Sequence, residues 1–268
     1  MKKLKSILKI LIFIFGSLYL IIIGLLYFNQ ESLFFHANKL DKNYRFTFSE
    51  NNQEITIKTS DNIYLHGLLF KAKISKGLVF YLHGNAGTVE TWGNIASNYT
   101  SLGYDIFILD YRGFGKSEGE ISSEEQLFSD ISSAYNQLKK QYKEENIIVT
   151  GFSIGSGMAT YLASKNNPKA LILQAPYYHL LDLATDRFPI VPEFVVKYKI
   201  PTFEFIKKVK SPIYIFHGTN DYVIPYENSL KLKKVIKPND KLFALENQGH
   251  LGVNDNGDFL IQLKEILH

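Results

Sequence analysis

Ser153 stands in Gly151-Phe152-Ser153-Ile154-Gly155, directly after the apolar run NIIVT (146–150) and directly before the helix-like run SGMATYLA (156–163). In that setting G-x-S-x-G reads as the sharp turn that lifts a serine hydroxyl clear of a strand end for nucleophilic attack. Glycine is needed two residues before and two after, because a β-carbon at either place would collide with the adjoining strand and helix. An unassisted serine is a weak nucleophile. The chemistry therefore needs a base, an acid to orient it, and donors for the oxyanion that forms on attack.

Along the chain these groups are expected in the order serine, acid, histidine. Of the seven histidines only His250 and His268 follow every candidate acid, and His268 is the chain terminus. His250, in a loop behind LFAL (242–245), is the expected base. Asp221, ending PIYIF-His217-Gly218-Thr219-Asn220-Asp221, is the expected acid, with Asp182 and Asp186 as alternatives. The oxyanion donors are expected to be the backbone amides of Ile154 and Asn85, the latter in the loop His83-Gly84-Asn85-Ala86-Gly87. His83 is expected to order that loop, and His36, His66, His179 and His217 read as structural. No H-E-x-x-H or similar ligand cluster occurs, so neither metal nor cofactor is implied.

DYRGFGKSEG (110–119) carries three false signals. A P-loop would need glycine at Asp110, and a dinucleotide fingerprint would need it at Glu118. Gly115-Lys116-Ser117-Glu118-Gly119 does match G-x-S-x-G, but Ser117 is seven residues past its strand and five before the next helix cap, so it reads as a loop serine.

The elements that must position these residues follow from patterning. EITIKT (54–59) and IYLHGLLF (63–70) read as a hairpin across Ser60-Asp61-Asn62. Short apolar runs follow: 77–82, 105–110, 146–150, 170–173, 212–216 and 242–245. Each reads as a strand buried on both faces, as in a parallel sheet. Helix-length segments at 88–102, 122–142, 154–165, 226–236 and 254–267 alternate with them, and Ser122 with Glu125 makes a capping box. The alternation predicts an α/β fold, a mostly parallel sheet with helices on both faces. Its sites lie beyond the carboxyl ends of the strands.

Residues 10–28, ILIFIFGSLYLIIIGLLYF, contain no charge and match the length needed to span a bilayer. Only Ser17 and Tyr19 interrupt the apolar surface, and no small-x-small cleavage site follows Phe28, so residues 1–28 read as an uncleaved anchor. Residues 29–53 then connect it to a domain at 54–268. Lys2, Lys3, Lys5 and Lys9 precede the span while only Lys39 and Lys42 follow closely, which places the N-terminus in the cytoplasm and the remainder on the outer side. These four lysines account for the whole net charge of +4; of 30 basic residues, 26 remain against 26 acidic ones in residues 29–268. A nucleic-acid partner, which needs a basic face, is therefore not expected. Truncation at about residue 30 is expected to leave the chemistry intact. Zero cysteine excludes disulfide scaffolds, thiol catalysis and thiol-based metal sites.

The HGNAG loop, DYRGFGKSEG, the GFSIG elbow, HGTND and the late Gly249-His250, in this order across roughly residues 54–266, resemble the α/β-hydrolase superfamily. With the single span and Phe34-Phe35-His36, the chain is similar to its membrane-anchored serine-hydrolase branch, which includes depalmitoylating thioesterases. The resemblance implies a Ser153, Asp221, His250 triad with Asn85 and Ile154 as oxyanion donors. His36 stands where relatives often carry proline, and Leu251 where many carry asparagine; both departures bear on specificity.

Between the fourth and fifth parallel runs, residues 175–211 hold Tyr177, Tyr178, Phe188 and Phe194 among many apolar residues, with prolines at 189, 192 and 201 that forbid one long helix. This segment is expected to form a short cap over an acyl pocket lined by those four aromatics. The expected function is hydrolysis of esters or thioesters of lipophilic acyl groups. The alternatives are a serine peptidase of prolyl-oligopeptidase type and a tethered binding protein without turnover.

Overall fold

The computed structural model describes residues 2–268. Among these residues eight strands form one sheet in the order β1-β2-β4-β3-β5-β6-β7-β8. They are β1 (Asn52–Lys58), β2 (Tyr64–Phe70), β3 (Gly77–Leu82), β4 (Tyr104–Leu109), β5 (Ile147–Phe152), β6 (Ala170–Gln174), β7 (Ile213–Gly218) and β8 (Lys241–Leu245). The β1–β2 hairpin joins antiparallel, β2 also meets β4 antiparallel, and the remaining pairings are parallel. Every run read from the sequence as a strand is one, within two residues at its ends. The sheet is mostly parallel, as expected.

Among the described residues, ten α-helices accompany it: α1 (Lys2–Phe28), α2 (Gln30–Phe34), α3 (Val89–Trp92), α4 (Ala96–Thr100), α5 (Glu124–Leu138), α6 (Ile154–Lys165), α7 (Leu180–Arg187), α8 (Thr202–Ile206), α9 (Glu227–Lys233) and α10 (Gly257–Leu267). Alternate residues of β3 face opposite sides. Leu78, Phe80 and Leu82 pack with α5, α6 and α9 residues such as Ile131, Met158 and Leu232, whereas Val79 and Tyr81 pack with Ala96, Tyr99 and Phe259 from α4 and α10. Helices thus cover both faces of the sheet centre, which is why β3, β4, β5 and β6 are buried along their whole length, whereas the edge strand β1 alternates buried and exposed residues.

Two local expectations are corrected. Residues 88–102 form not one helix but α3, a 3-10 turn at Gly93–Ile95 and α4; Gly93 in the turn lies against the Phe48 ring, where a side chain would clash. The cap of α5 sits one residue later than the Ser122–Glu125 box. Ser123 Oγ accepts from the Gln126 amide (3.1 Å), and Gln126 Oε1 accepts from the Ser122 amide (2.9 Å). That register frees Glu124 to accept from the amides of Lys199 and Ile200 at 2.8 and 3.0 Å.

Helix α1 is long and apolar enough to cross a membrane and buries none of its residues in the protein. Its junction with the rest is specific. Gln30, buried, donates through Nε2 to Val195 O (2.8 Å) and accepts from the Lys197 amide (2.9 Å). Glu31 meets Lys197 Nζ and the Tyr198 hydroxyl, both at 3.1 Å, and Tyr19 donates to Ile190 O at 3.0 Å. A cut at about residue 30 would remove the Tyr19 contact and sit at the edge of the Gln30 and Glu31 contacts that tie the N-terminal helices to residues 190–198.

Candidate active site

The carboxyl ends of β3, β5, β7 and β8 lie along one edge of the sheet, and each delivers one expected group. Ser153 follows β5 with φ 53° and ψ −122°, a left-handed conformation that side-chain-bearing residues rarely adopt. The strain is held from both sides. The Ser153 amide donates to Gln174 O of β6 (2.9 Å), and α6 begins at the next residue. A β-carbon on Gly151 would lie 2.7 Å from Ala159 Cβ, and one on Gly155 would lie 2.6 Å from His83 O. Both glycines are thus required for the reason the sequence suggested.

His250 Nδ1 is 2.7 Å from Asp221 Oδ2, and its Nε2 is 3.0 Å from Ser153 Oγ. A carboxylate can only accept, so Nδ1 carries the proton and Nε2 faces the serine hydroxyl as an acceptor. Asp221 receives more than one donor. Its Oδ1 accepts from the amides of Val223 and Ile224, both at 2.8 Å, and its Oδ2 also lies 3.2 Å from His217 Nε2. Burial pushes the Asp221 carboxyl up, but the hydrogen bonds from His217, His250 and the Ile224 amide outweigh it and hold the group well below the usual carboxylate range. It stays ionised. Asp182, exposed on α7, instead pairs with the preceding His179 (2.7 Å), and Asp186 is exposed on the same helix.

Ile154 opens α6, so its amide is among those a helix leaves without an internal partner. Asn85 lies three residues past β3; its carbonyl accepts from the His36 amide at 2.7 Å. Among the described residues, no loop, turn or cap hydrogen bond is donated by either amide. Both are free to donate to an incoming oxygen. His83 is buried and donates through Nδ1 to Gly84 O (2.7 Å), within the loop it was expected to order. Ser117, the other serine in a G-x-S-x-G match, is buried and donates to Asp110 O (2.7 Å) while accepting from the His66 amide, so it is tied into the fold.

Of the four aromatics expected to line a pocket, Tyr177 is fully buried, with its hydroxyl on Ile154 O (3.3 Å), and belongs to the core rather than to a pocket. Tyr178 stacks on Phe203, Phe188 borders an apolar cleft described below, and Phe194 is 84% exposed. No cluster of three or more potential metal ligands occurs among the described residues.

Two sets of supporting residues escaped the sequence reading. His217 is fully buried; its Nε2 also meets Ile224 O (2.8 Å), so Nε2 bears a proton shared between a carbonyl and the Asp221 carboxylate, with Nδ1 on Ser229 Oγ (2.7 Å). Its place four residues before the acid on the same strand end was the available signal. Beneath the elbow, Tyr81 donates to Gln174 Oε1 (2.8 Å), Gln174 Nε2 to Asn254 Oδ1 (2.9 Å), and Asn254 Nδ2 to the Tyr81 hydroxyl (3.1 Å). This closed ring fixes the residue whose carbonyl holds Ser153.

A family model described as serine aminopeptidase, S33, matches residues 73–204. Human alpha/beta hydrolase domain-containing protein 17B is 32% identical over 200 residues, covering 72% of this chain and 67% of its own length. The chain belongs to the α/β-hydrolase superfamily. Within this hydrolase's relatives, protein 17C of Xenopus tropicalis is 33% identical over 199 residues, covering 72% and 62% of the two chains. The hydrolase also shares its fold with the esterase Pf2001 of Pyrococcus furiosus, with TM-score 0.71 and 20% identity over 86% of this chain and 97% of that one. Est1E of Butyrivibrio proteoclasticus, solved with ferulic acid, gives TM-score 0.66 and 22% identity over 80% and 96%.

Proposed function

We propose that this α/β hydrolase is a membrane-anchored serine hydrolase that cleaves carboxylic ester or thioester bonds of lipophilic acyl substrates through Ser153, His250 and Asp221. The observation that carries the reading is the unbroken relay from Ser153 Oγ to His250 (3.0 Å) to Asp221 (2.7 Å) behind a strained serine. His250 Nε2 takes the hydroxyl proton as Ser153 Oγ attacks the carbonyl carbon, and the amides of Ile154 and Asn85 hold the oxyanion. The imidazolium then protonates the departing alcohol or thiol. Water, deprotonated by the same nitrogen, releases the acid from the acyl-enzyme. Lipophilic substrates are favoured by the exposed apolar residues flanking the acid and base, Tyr222, Val223 and Leu251. Residues 10–28 would anchor the enzyme with its N-terminus in the cytoplasm and its catalytic portion outside. Residues 175–211 would act as the cap.

A fluorophosphonate probe should label the wild type and fail to label Ser153→Ala; equal labelling would exclude Ser153 as nucleophile. The family model described as a serine aminopeptidase favours a second reading, amide hydrolysis. Turnover of peptide amides above that of p-nitrophenyl esters would select it.

A further inference from the structure

A cleft of about 290 Å³ lies between the N-terminal helices and the 175–211 segment, with Leu26, Leu33 and Phe34 on one wall and Leu183, Phe188 and Val191 on the other. Its size, near the lower end of the roughly 300–1,000 Å³ typical of small-ligand sites, suits one slender apolar ligand. Ser153 is not among its lining residues, but Val223 is, and the Val223 amide donates to Asp221 Oδ1. The cleft thus ends at the loop that carries the proposed acid.

Its other end is set by α1. Tyr19 lies in the middle of the uncharged stretch 10–28, and its hydroxyl holds Ile190 O. At 1.5 Å per residue, Tyr19 is roughly 14 Å deeper along the helix than Phe28. Lys197, by contrast, pairs with Glu31 and lies over the Tyr27 ring at 4.6 Å, the pairing of aromatic and cation found at a membrane interface. Between these levels runs Phe188-Pro189-Ile190-Val191-Pro192, without a charge, with Phe188 and Ile190 exposed. Asp186, Arg187 and Glu193 flank it. A soluble protein gains nothing from such a segment, whereas alongside a membrane span its exposed apolar surface is already in its solvent.

We propose that residues 188–192 dip into the leaflet beside the span, and that the cleft takes one alkyl chain of the substrate directly from the bilayer toward Ser153. The inference rests on the hydrolase reading above for the chemistry, while the immersion of the segment stands without it. The span is then one wall of the binding site as well as a tether.

The test uses the full chain in lipid nanodiscs. The chain has no cysteine, so Ile190→Cys accepts a single bimane label. Lipids with doxyl groups on their chains should quench it and should spare the same label at exposed Ile74→Cys, in the loop before β3; an unquenched label at 190 overturns the proposal. With p-nitrophenyl esters, kcat/KM should rise roughly tenfold for every two methylenes until the cleft is filled. Ala184→Trp on α7 and Leu33→Trp on α2 each fill it from a different element. Either should lower the ratio of long-chain to acetyl-ester kcat/KM at least tenfold, and an unchanged ratio in a variant still labelled by fluorophosphonate overturns the proposal. Absence of all ester turnover and of Ser153 labelling would sink the hydrolase reading and the chain's role as substrate, and the quenching result distinguishes that failure, since it does not depend on catalysis.

Discussion

Asp221→Asn changes one atom and should separate geometry from chemistry. In the native site two donors face each carboxylate oxygen: the amides of Val223 and Ile224 at Oδ1, His250 Nδ1 and His217 Nε2 at Oδ2. An asparagine NH2 must face one of these pairs. Toward the backbone it would oppose two fixed N–H groups, whereas toward the histidines one conflict is relieved if His250 moves its proton to Nε2. That proton then points at Ser153 Oγ, and the base is lost. Loss of the acceptor nitrogen in this way corresponds to about 10⁴ in kcat, or about 5.4 kcal/mol of barrier at 1.36 kcal/mol per decade. His217 keeps an unrelieved conflict, so stability should fall by about 1–3 kcal/mol. The assay is kcat on a p-nitrophenyl ester together with urea unfolding. A variant within tenfold of wild-type kcat would refute the assignment of the tautomer, whatever its stability.

Gly155→Ala should cost about 3 kcal/mol, at the top of the usual range for overpacking, because the new methyl meets the immobile carbonyls of Leu82 and His83; Gly257→Ala, with open space around it, should stay within about 0.5 kcal/mol. Urea midpoints decide, and equal values would contradict the packing at the elbow. Burial lowers the pKa of His83 in the folded protein against the opposing pull of Asp110. Below the ordinary histidine value of about 6.5 the unfolded chain binds a proton that the folded chain does not, so stability should decline as pH falls from 7.5 to 5.5, by up to about 1.4 kcal/mol per unit from this group. Unfolding of His83→Asn across the same range should show a shallower slope, and an unchanged slope would place the titration elsewhere.

The central strands were legible because helices on both faces force them to be apolar, leaving short runs with clear ends, and the edge strand β1 because its residues alternate. Ser153 was legible because strain demands glycine at fixed distances, and His250 and Asp221 because chain order limits the choice. Interactions between single residues far apart in sequence left no pattern. Gln174 and Tyr81 each stand alone among apolar neighbours, Asn254 is one of several polar residues in a loop, and nothing in their spacing announces the ring they form. Gln30 likewise reads as a polar residue after a greasy helix, yet its partners lie 165 and 167 residues away. The α5 cap slipped by one because Ser122–Glu125 and Ser123–Gln126 both satisfy the pattern; the choice is made by Glu124, through backbone amides of Lys199 and Ile200 that no local motif contains.

The bond from Tyr19 to Ile190 joins two parts of the chain synthesised 171 residues apart. With residues 10–28 spanning the bilayer as proposed, helix α1 would reach the membrane while the later strands are still unmade. The 188–198 segment would then find its seat already installed in lipid. On the same reading, a molecule that misses insertion would keep its sheet but leave the apolar residues 188–192 in water, so completion of this flank would be coupled to arrival at the membrane.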